Sequence, residues 1–115
     1  MPYTYFSGTA SISNTEHSLS TNTSGPDFNN ASGVYQLFLN CSGMLVGDEY
    51  RMRLYERASN EAADLSLPVF DAVLNGPVSP PIYATPALIL GNFWEMTLLG
   101  SGVPSRTFYW SIRQG

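Results

Sequence analysis

Apolar and polar residues alternate one by one along several short stretches of the chain. The clearest stretch is Asp48–Arg57, in which Tyr50, Met52 and Leu54 alternate with Glu49, Arg51, Arg53 and Tyr55. Successive side chains of a β-strand project to opposite faces, so this pattern predicts one buried face and one solvated face. On a helix the three arginines would scatter around the circumference and leave no apolar stripe. The stretch is therefore predicted to be a strand.

The same period of two recurs along the chain, between residues that favour turns. It predicts strands at Thr9–Ser13, Val34–Cys41, Asp48–Arg57, Val69–Leu74, Ala87–Leu90, Phe93–Leu99 and Thr107–Gln114. Residues 58–66 are predicted to form a hairpin tip, with one helical turn as an option, and residues 100–105 to form a hairpin loop. The prolines between 77 and 86 permit at most an edge strand or a crossing loop. Seven or eight short strands predict an all-β fold, a single antiparallel β-sandwich of the jelly-roll or another Greek-key type.

The length of 115 residues fits one domain. We expect the sandwich to occupy residues 8–115 and residues 1–7 to form an N-terminal arm, because this segment has no obvious strand partner. Pro2 also lacks the backbone donor that an interior strand needs. Residues 7–32 are rich in Ser, Thr, Asn and Gly, a composition typical of loops, and Phe28 is expected to anchor them. The centre of the core is predicted at Met52, Trp94, Phe108 and Trp110.

Few residues suggest catalysis or metal binding. Cys41, the single cysteine, lies in a strand pattern that predicts a buried thiol, and the single histidine, His17, fits a surface or turn position. Its neighbours Glu16 and Ser18 would point away from it on a strand, so the three cannot form a triad. Glu95 falls on the face opposite Trp94 and Met96, and nothing in its pattern requires burial. We therefore predict no enzyme, no metal site and no cofactor.

The charge balance excludes further classes of function. The chain has five arginines, no lysine and a net charge of −4. Nucleic-acid binding needs a basic patch, whereas Arg51, Arg53 and Arg57 are interspersed with carboxylates. No apolar run approaches the roughly 20 residues that span a bilayer. We therefore expect neither a nucleic-acid nor a membrane partner.

Five segments, read in order, carry a resemblance to a known group of proteins. They are GVYQLFL at 33–39, GDEYRMRLYE at 47–56, PALIL at 86–90, FWEMTL at 93–98 and FYWSIRQ at 108–114. Together they resemble small proteins of tailed bacteriophages that share a GVYQLF-type strand, a strand that begins with Gly-Asp and alternates, and a terminal Trp-Ser-Ile-Arg. The resemblance covers residues 33–114 and leaves the N-terminal third unmatched.

Small all-β phage proteins of this kind resemble capsid decoration (cement) proteins. That resemblance implies a structural virion protein on the outer surface of the capsid. It implies that the protein binds the assembled head as a homotrimer and clamps neighbouring subunits of the major capsid protein. Two alternatives stay open: a tail, baseplate or head-fibre subunit, and a host-glycan-binding module in which Trp or Tyr rings stack on sugars.

Candidate contact residues follow from exposure and from side-chain chemistry. Aromatic residues are enriched at interfaces, and planar guanidinium groups pair well with carboxylates. The predicted partner-contact residues are Tyr3, Tyr5, Phe6, Arg51, Arg53, Arg57 and Arg113. For Trp94 and Trp110 the phase of the strands favours the core over a sugar platform.

Overall fold

The computed structural model describes residues 5–28, 31–59, 61, 67–91 and 93–114, which contain ten strands and no helix. The strands are β1 (Tyr5–Ile12), β2 (His17–Ser18), β3 (Thr23–Ser24), β4 (Gly33–Asn40), β5 (Glu49–Glu56), β6 (Leu67–Asn75), β7 (Ile82–Ala84), β8 (Leu88–Leu90), β9 (Glu95–Gly100) and β10 (Arg106–Gln114). The longer strands match the predicted ones within a few residues. The count exceeds the predicted seven or eight because the Ser/Asn-rich segment contributes the two-residue strands β2 and β3.

Two five-stranded antiparallel sheets pack against each other. Sheet A has the order β1-β10-β4-β7, with β8 also paired to β4, and sheet B has the order β3-β2-β9-β5-β6. The pairings are nested along the chain: the first strand pairs with the last, β2 with β9, β4 with β7 and β8, and β5 with β6. The chain is thus one long antiparallel ribbon, folded at the β5–β6 hairpin and rolled up. This nesting is the strand order of a jelly roll, and the predicted antiparallel sandwich is confirmed.

The core lies between the inner faces of the two sheets. Met52, Trp94, Phe108 and Trp110 are all buried, as predicted. Two pairs of aromatic rings are in contact at its centre. The ring centroids of Tyr35 and Trp94 lie 4.6 Å apart, and those of Tyr50 and Phe108 lie 4.7 Å apart. Such tilted pairs stabilise a core beyond the area that they bury.

The side of the sandwich between β1 and β2 is closed by Trp110. Its indole Nε1 donates to the carbonyl of Leu19 over 2.8 Å, and the His17 ring stands edge-on to it at 5.8 Å. Gly8 lies opposite Trp110 in the sheet register, where an added Cβ would come within 2.7 Å of the indole. The absence of a side chain at residue 8 therefore makes room for the ring.

The structure corrects the predicted N-terminal arm. Strand β1 begins at Tyr5, which pairs with Arg113, so residues 5–7 belong to sheet A. Phe6 packs on the core, with ring centroids 6.2 Å from Tyr35 and 6.0 Å from Trp94. The partner of this segment is the last strand of the chain, which local sequence could not reveal. Residues 1–4, including Tyr3, lie outside the described residues.

A second correction concerns residues 100–105, which were predicted to form a hairpin loop. Strands β9 and β10 lie in different sheets, so this segment crosses the end of the sandwich. It is fastened there by Gly100 N, which donates to Ser13 O, and by Val103 N, which donates to Asn14 Oδ1. The β5–β6 hairpin is confirmed, whereas the optional helical turn falls mainly on residues outside the described part of the chain.

Candidate functional site

The outer face of sheet B is covered over part of its area by the Ser/Asn-rich segment. After β2 pairs with β9, the chain reverses and β3 pairs with β2, which brings residues 20–28 back across the sheet. We call the surface beneath this segment the covered face. It consists of Glu16, Ser18, Tyr55, Glu95 and Thr97.

Glu95 is the centre of the covered face and is fully buried, at 0% exposure. Ser18 Oγ and the backbone N–H of Asp27 donate to one carboxylate oxygen, while Ser20 Oγ and the backbone N–H of Met96 donate to the other. Burial raises the pKa of Glu95 above its ordinary value, and these hydrogen bonds oppose the rise. The alternation alone did not require this burial, which arises because a segment remote in sequence folds over Glu95.

Glu16 forms a second hydrogen-bond centre on the covered face. One of its oxygens accepts hydrogen bonds from Tyr55 Oη and Thr97 Oγ1, each over 2.5 Å. Tyr55 shares the face of Arg53, as the alternation predicts, but it is buried rather than solvated. The Phe28 ring stands edge-on to Tyr55 at 5.7 Å, so Phe28 anchors the segment as expected. The covered face is thus a satisfied polar network.

The arginines predicted as contacts on β5 are neutralised within the chain. Arg51 lies 3.2 Å from Asp71 and 3.7 Å from Glu49, and Arg53 lies 3.9 Å from Asp71. Arg57 follows the end of β5, and its guanidinium lies 4.2 Å from the centroid of the Phe93 ring. Its buried Nε has no hydrogen-bond acceptor.

A further arginine has a structural role at one end of the sandwich. Arg106 Nε donates to the buried Asp48 over 2.7 Å, and the other oxygen of Asp48 accepts from Arg106 Nη2. Asp48 also accepts from the backbone N–H of Leu45, which fixes the turn before β5. The hydrogen bonds from Arg106 and Leu45 lower the pKa of Asp48 below its ordinary value.

The outer face of sheet A is open, and we call it the open face. Its side chains form rows across β10, β4 and the edge strands β7 and β8. The rows are Tyr109–Asn40–Ile82, Ser111–Phe38–Ala84, Arg113–Gln36 and Val34–Ile89. Ile82 and Tyr109 are 55% and 56% exposed, and Ile89 is 85% exposed. A monomer rarely leaves contiguous apolar residues in water without a reason.

A shallow depression of about 250 Å³ lies on the open face. Its lining includes Phe38, Asn40, Ile82, Tyr109, Ser111 and Arg113. The guanidinium of Arg113 lies 4.0 Å from the Phe38 ring centroid, and its Nε donates to Ser111 Oγ. No carboxylate of the described residues lies within ion-pair distance of Arg113. Rings, aliphatic groups and a cation with no carboxylate partner among the described residues thus meet on this surface.

The structure separates the predicted contact residues into distinct locations. Tyr5 and Arg113 are register partners in sheet A, whereas Arg51 and Arg53 lie on the outer face of sheet B. Phe6 points into the core. Sequence reasoning placed Tyr109, Ser111 and Arg113 on one face, but it did not single out Phe38, Ile82 or Tyr109 as a surface. The alternation with Leu37, Leu39, Phe108 and Trp110 was the available signal.

The remaining candidates for chemistry have structural roles. Cys41 is buried as predicted, and burial raises the pKa of its thiol to about 11, so it is a poor nucleophile. His17 is half-buried in β2, and its Nε2 lies 2.7 Å from Asn22 Oδ1. Trp94 and Trp110 are 0% and 5% exposed, and both donate to backbone carbonyls, so neither can stack on a sugar.

The described residues hold no group of three or more His, Cys, Asp or Glu side chains placed to bind a metal ion. Within the same ranges, no helix is long and apolar enough to cross a bilayer.

Comparisons with known proteins find similarity among solved structures. No protein-family model and no curated protein matches the chain. Among solved structures, the chain is similar to the Eiger TNF of S. frugiperda. The identity is 11% and the TM-score 0.44, over 100% of this chain and 94% of that one.

Proposed function

We propose that the protein is a structural subunit of a phage virion, a capsid decoration protein that binds the assembled head and stabilises it. The observation that carries the proposal is the open face, where exposed apolar groups share one side of the sheet with Arg113, which has no ion-pair partner in the part of the chain that the structure describes. The resemblance of residues 33–114 to small phage proteins supplies the identity of the partner, the major capsid protein. The function is interface burial and not turnover.

The physical work of such a subunit is to add contacts between neighbouring shell subunits. A standard interface buries about 800 Å² per partner, which one face of a sandwich of this size can supply. The sheet beneath the open face is stiff because its inner side packs on the aromatic core. A preorganised surface loses little entropy on binding, which favours attachment to a finished shell.

The proposal includes a homotrimer on the outer surface of the capsid. Arg51 and Arg53 already pair with Asp71 in the same chain, so they would contribute little to contacts between copies. We expect the copies to meet through other surfaces. Light scattering at high protein concentration tests this part, and a monomer with no contact between copies on the particle would refute it.

The main test is co-sedimentation with purified empty expanded heads. The wild-type protein should bind at stoichiometric occupancy, and Ile82→Ser and Tyr109→Ser should each bind at least about tenfold more weakly, since hot spots are central exposed apolar groups. Val73→Ser is the matched control, because Val73 is an exposed apolar residue on the outer face of sheet B. Absence of wild-type binding would refute the proposal.

A different location on the particle would favour the runner-up. Immunogold labelling of intact virions should decorate the head. Labelling confined to the tail would instead indicate a tail or baseplate subunit, and labelling confined to projections from the head would indicate a head-fibre subunit.

A further inference from the structure

We infer that the open face binds an extended acidic polypeptide segment in which a carboxylate residue has an apolar residue two positions away on one side and another four positions away on the other. This inference rests on the proposed function, since it names the part of the shell protein that the face would recognise. It is carried by the rows of side chains on the open face and by the position of Arg113 within them.

The charge of the occupant follows from Arg113. Arg51, Arg53 and Arg106 each lie within ion-pair distance of a carboxylate of the chain. Among the described residues Arg113, in contrast, donates to Ser111 Oγ, stacks on Phe38 and has no carboxylate within ion-pair distance, and its register neighbours Tyr5 and Gln36 are uncharged. A stacked guanidinium is held in place with N–H groups left to donate, so it is prepared to bind a carboxylate.

The spacing of the occupant follows from the sheet. Successive rows on one face of a strand lie about 6.8 Å apart, and side chains i and i+2 of an extended peptide repeat at the same distance. The Arg113 guanidinium leans towards the row of Phe38. The next row on one side is apolar and contains Tyr109 and Ile82, whereas on the other side the row of Gln36 comes first and the apolar row with Val34 and Ile89 follows it. A peptide lying along β4 would therefore place apolar, acidic, polar and apolar side chains on four consecutive sites.

A polypeptide fits this surface better than a sugar. The open face from residue 34 to residue 40 of β4 is about 20 Å long, which exceeds the footprint of one stacked sugar ring. Ile82, Val34 and Ile89 offer no hydrogen-bonding groups in their side chains, and burying sugar hydroxyls against them without partners is unfavourable. Aliphatic side chains of a peptide gain from the same contacts.

The test is an NMR titration of the isotope-labelled protein with a defined peptide. The probe is an acetylated and amidated heptapeptide, Leu-Ser-Glu-Ser-Ser-Ser-Leu, and its matched controls carry Gln or Lys in place of Glu. The Glu peptide should shift the amide resonances of β4, β7 and β10. In Arg113→Gln the shifts at a non-saturating concentration should fall about tenfold, as expected for a lost charged hydrogen bond. Arg51→Gln, the same substitution at an ion-paired arginine, should leave them unchanged.

Three outcomes would overturn the inference. They are no shifts on the open face, equal shifts with the Glu and Gln peptides, or larger shifts there with a uronate-containing oligosaccharide. Co-sedimentation of wild type and Arg113→Gln with empty heads is run in parallel. Heads that bind both proteins equally, together with a silent peptide, would sink the inference and leave the proposed function standing. If the peptide binds but the heads do not, the proposed function is refuted, and binding of an acidic peptide by the open face still stands.

Discussion

The outer faces of the two sheets differ in how many of their charged side chains have partners within the described part of the chain. Both belong to strands with a period of two and a buried inner side. On sheet B, charged outward groups find partners within the chain: Glu95 beneath the Ser/Asn-rich segment, and Arg51 beside Asp71. On sheet A, Tyr109 and Ile82 are left to water, and Arg113 has no carboxylate among the described residues.

This contrast teaches that partner contacts cannot be assigned from strand phase alone. The guanidinium of Arg53 lies on an outward face, yet Asp71 already neutralises it. What marks the open face is the combination of exposed apolar area with a charge that has no partner among the described residues. A surface whose polar groups are all satisfied has less to gain from a partner.

The largest effect on stability should come from replacing Trp110, because its ring is buried in the core between the two sheets. Trp110→Ala should lower the free energy of unfolding by roughly 3–5 kcal/mol, since the two sheets cannot close the cavity. It also removes the donor to Leu19 O that closes the side next to β2. Urea denaturation measures the loss. A value under about 1 kcal/mol would mean that the ring contributes little to the core.

Removing the carboxylate at the centre of the covered face should have the next largest effect. Glu95→Ala leaves two backbone N–H groups and two serine hydroxyls without an acceptor, and we expect a loss of about 2–3 kcal/mol. Glu95→Gln should cost less, because one oxygen remains, but its amide nitrogen must face one of the backbone donors. If denaturation shows both variants to be as stable as wild type, the covered face contributes nothing to folding.

Stability should also depend on pH through Glu95, in a direction opposite to that of an ordinary ion-paired carboxylate. Burial raises the pKa of Glu95 in the folded state above its ordinary 4.5. Its contribution to stability is therefore fully present below pH 4.5 and is lost as the pH rises through the folded-state pKa. The difference in unfolding free energy between wild type and Glu95→Gln should shrink with rising pH across this window. A difference that grows would show that the hydrogen bonds outweigh burial.

Asp48 provides the opposite case within the same protein. Its pKa is lowered by Arg106, so its contribution is present above its ordinary 3.8 and is lost as the pH falls through the folded-state pKa. The difference between wild type and Asp48→Asn should therefore shrink towards acid pH. Denaturation curves of both variants over one pH series therefore distinguish the contribution of Glu95 to stability from that of Asp48.

The sequence was sufficient for the strands and the core, because period-two alternation is a local property. It could not predict the burial of Glu95, since the groups that cover this residue lie 68 to 77 positions away along the chain. The partner of Phe6 was hidden for the same reason, as β1 pairs with the last strand. The alternation of the last strand did predict that Tyr109 and Arg113 share one face, opposite Phe108 and Trp110. That Asp71 lies beside Arg51 and Arg53, whereas no carboxylate of the described residues lies within ion-pair distance of Arg113, depends on the register between strands.

A smaller effect should distinguish two aromatic rings at sheet A. Phe6 is half-buried against Tyr35 and Trp94, so Phe6→Ala should cost about 1–2 kcal/mol of stability. Tyr109 lies on the open face, and Tyr109→Ala should stay within about 0.5 kcal/mol of wild type. Head binding should show the reverse order once each variant is compared per folded molecule. Equal stability losses would erase the distinction between inner and outer rings.

The smallest expected effects on stability come from replacing Arg51 or Arg113. The two effects differ in how they depend on salt concentration. Arg51 is an exposed ion pair with Asp71, so Arg51→Gln should cost at most about 0.5 kcal/mol at low salt. At about 1 M NaCl, screening should remove most of that loss. Arg113→Gln removes a contact with the Phe38 ring worth about 0.5–1 kcal/mol, which depends on close packing and should survive in high salt. If high salt removes the loss of stability in both variants, Arg113 has an ionic partner in the free protein. The charge on the open face would then be neutralised within the chain, as it is on sheet B.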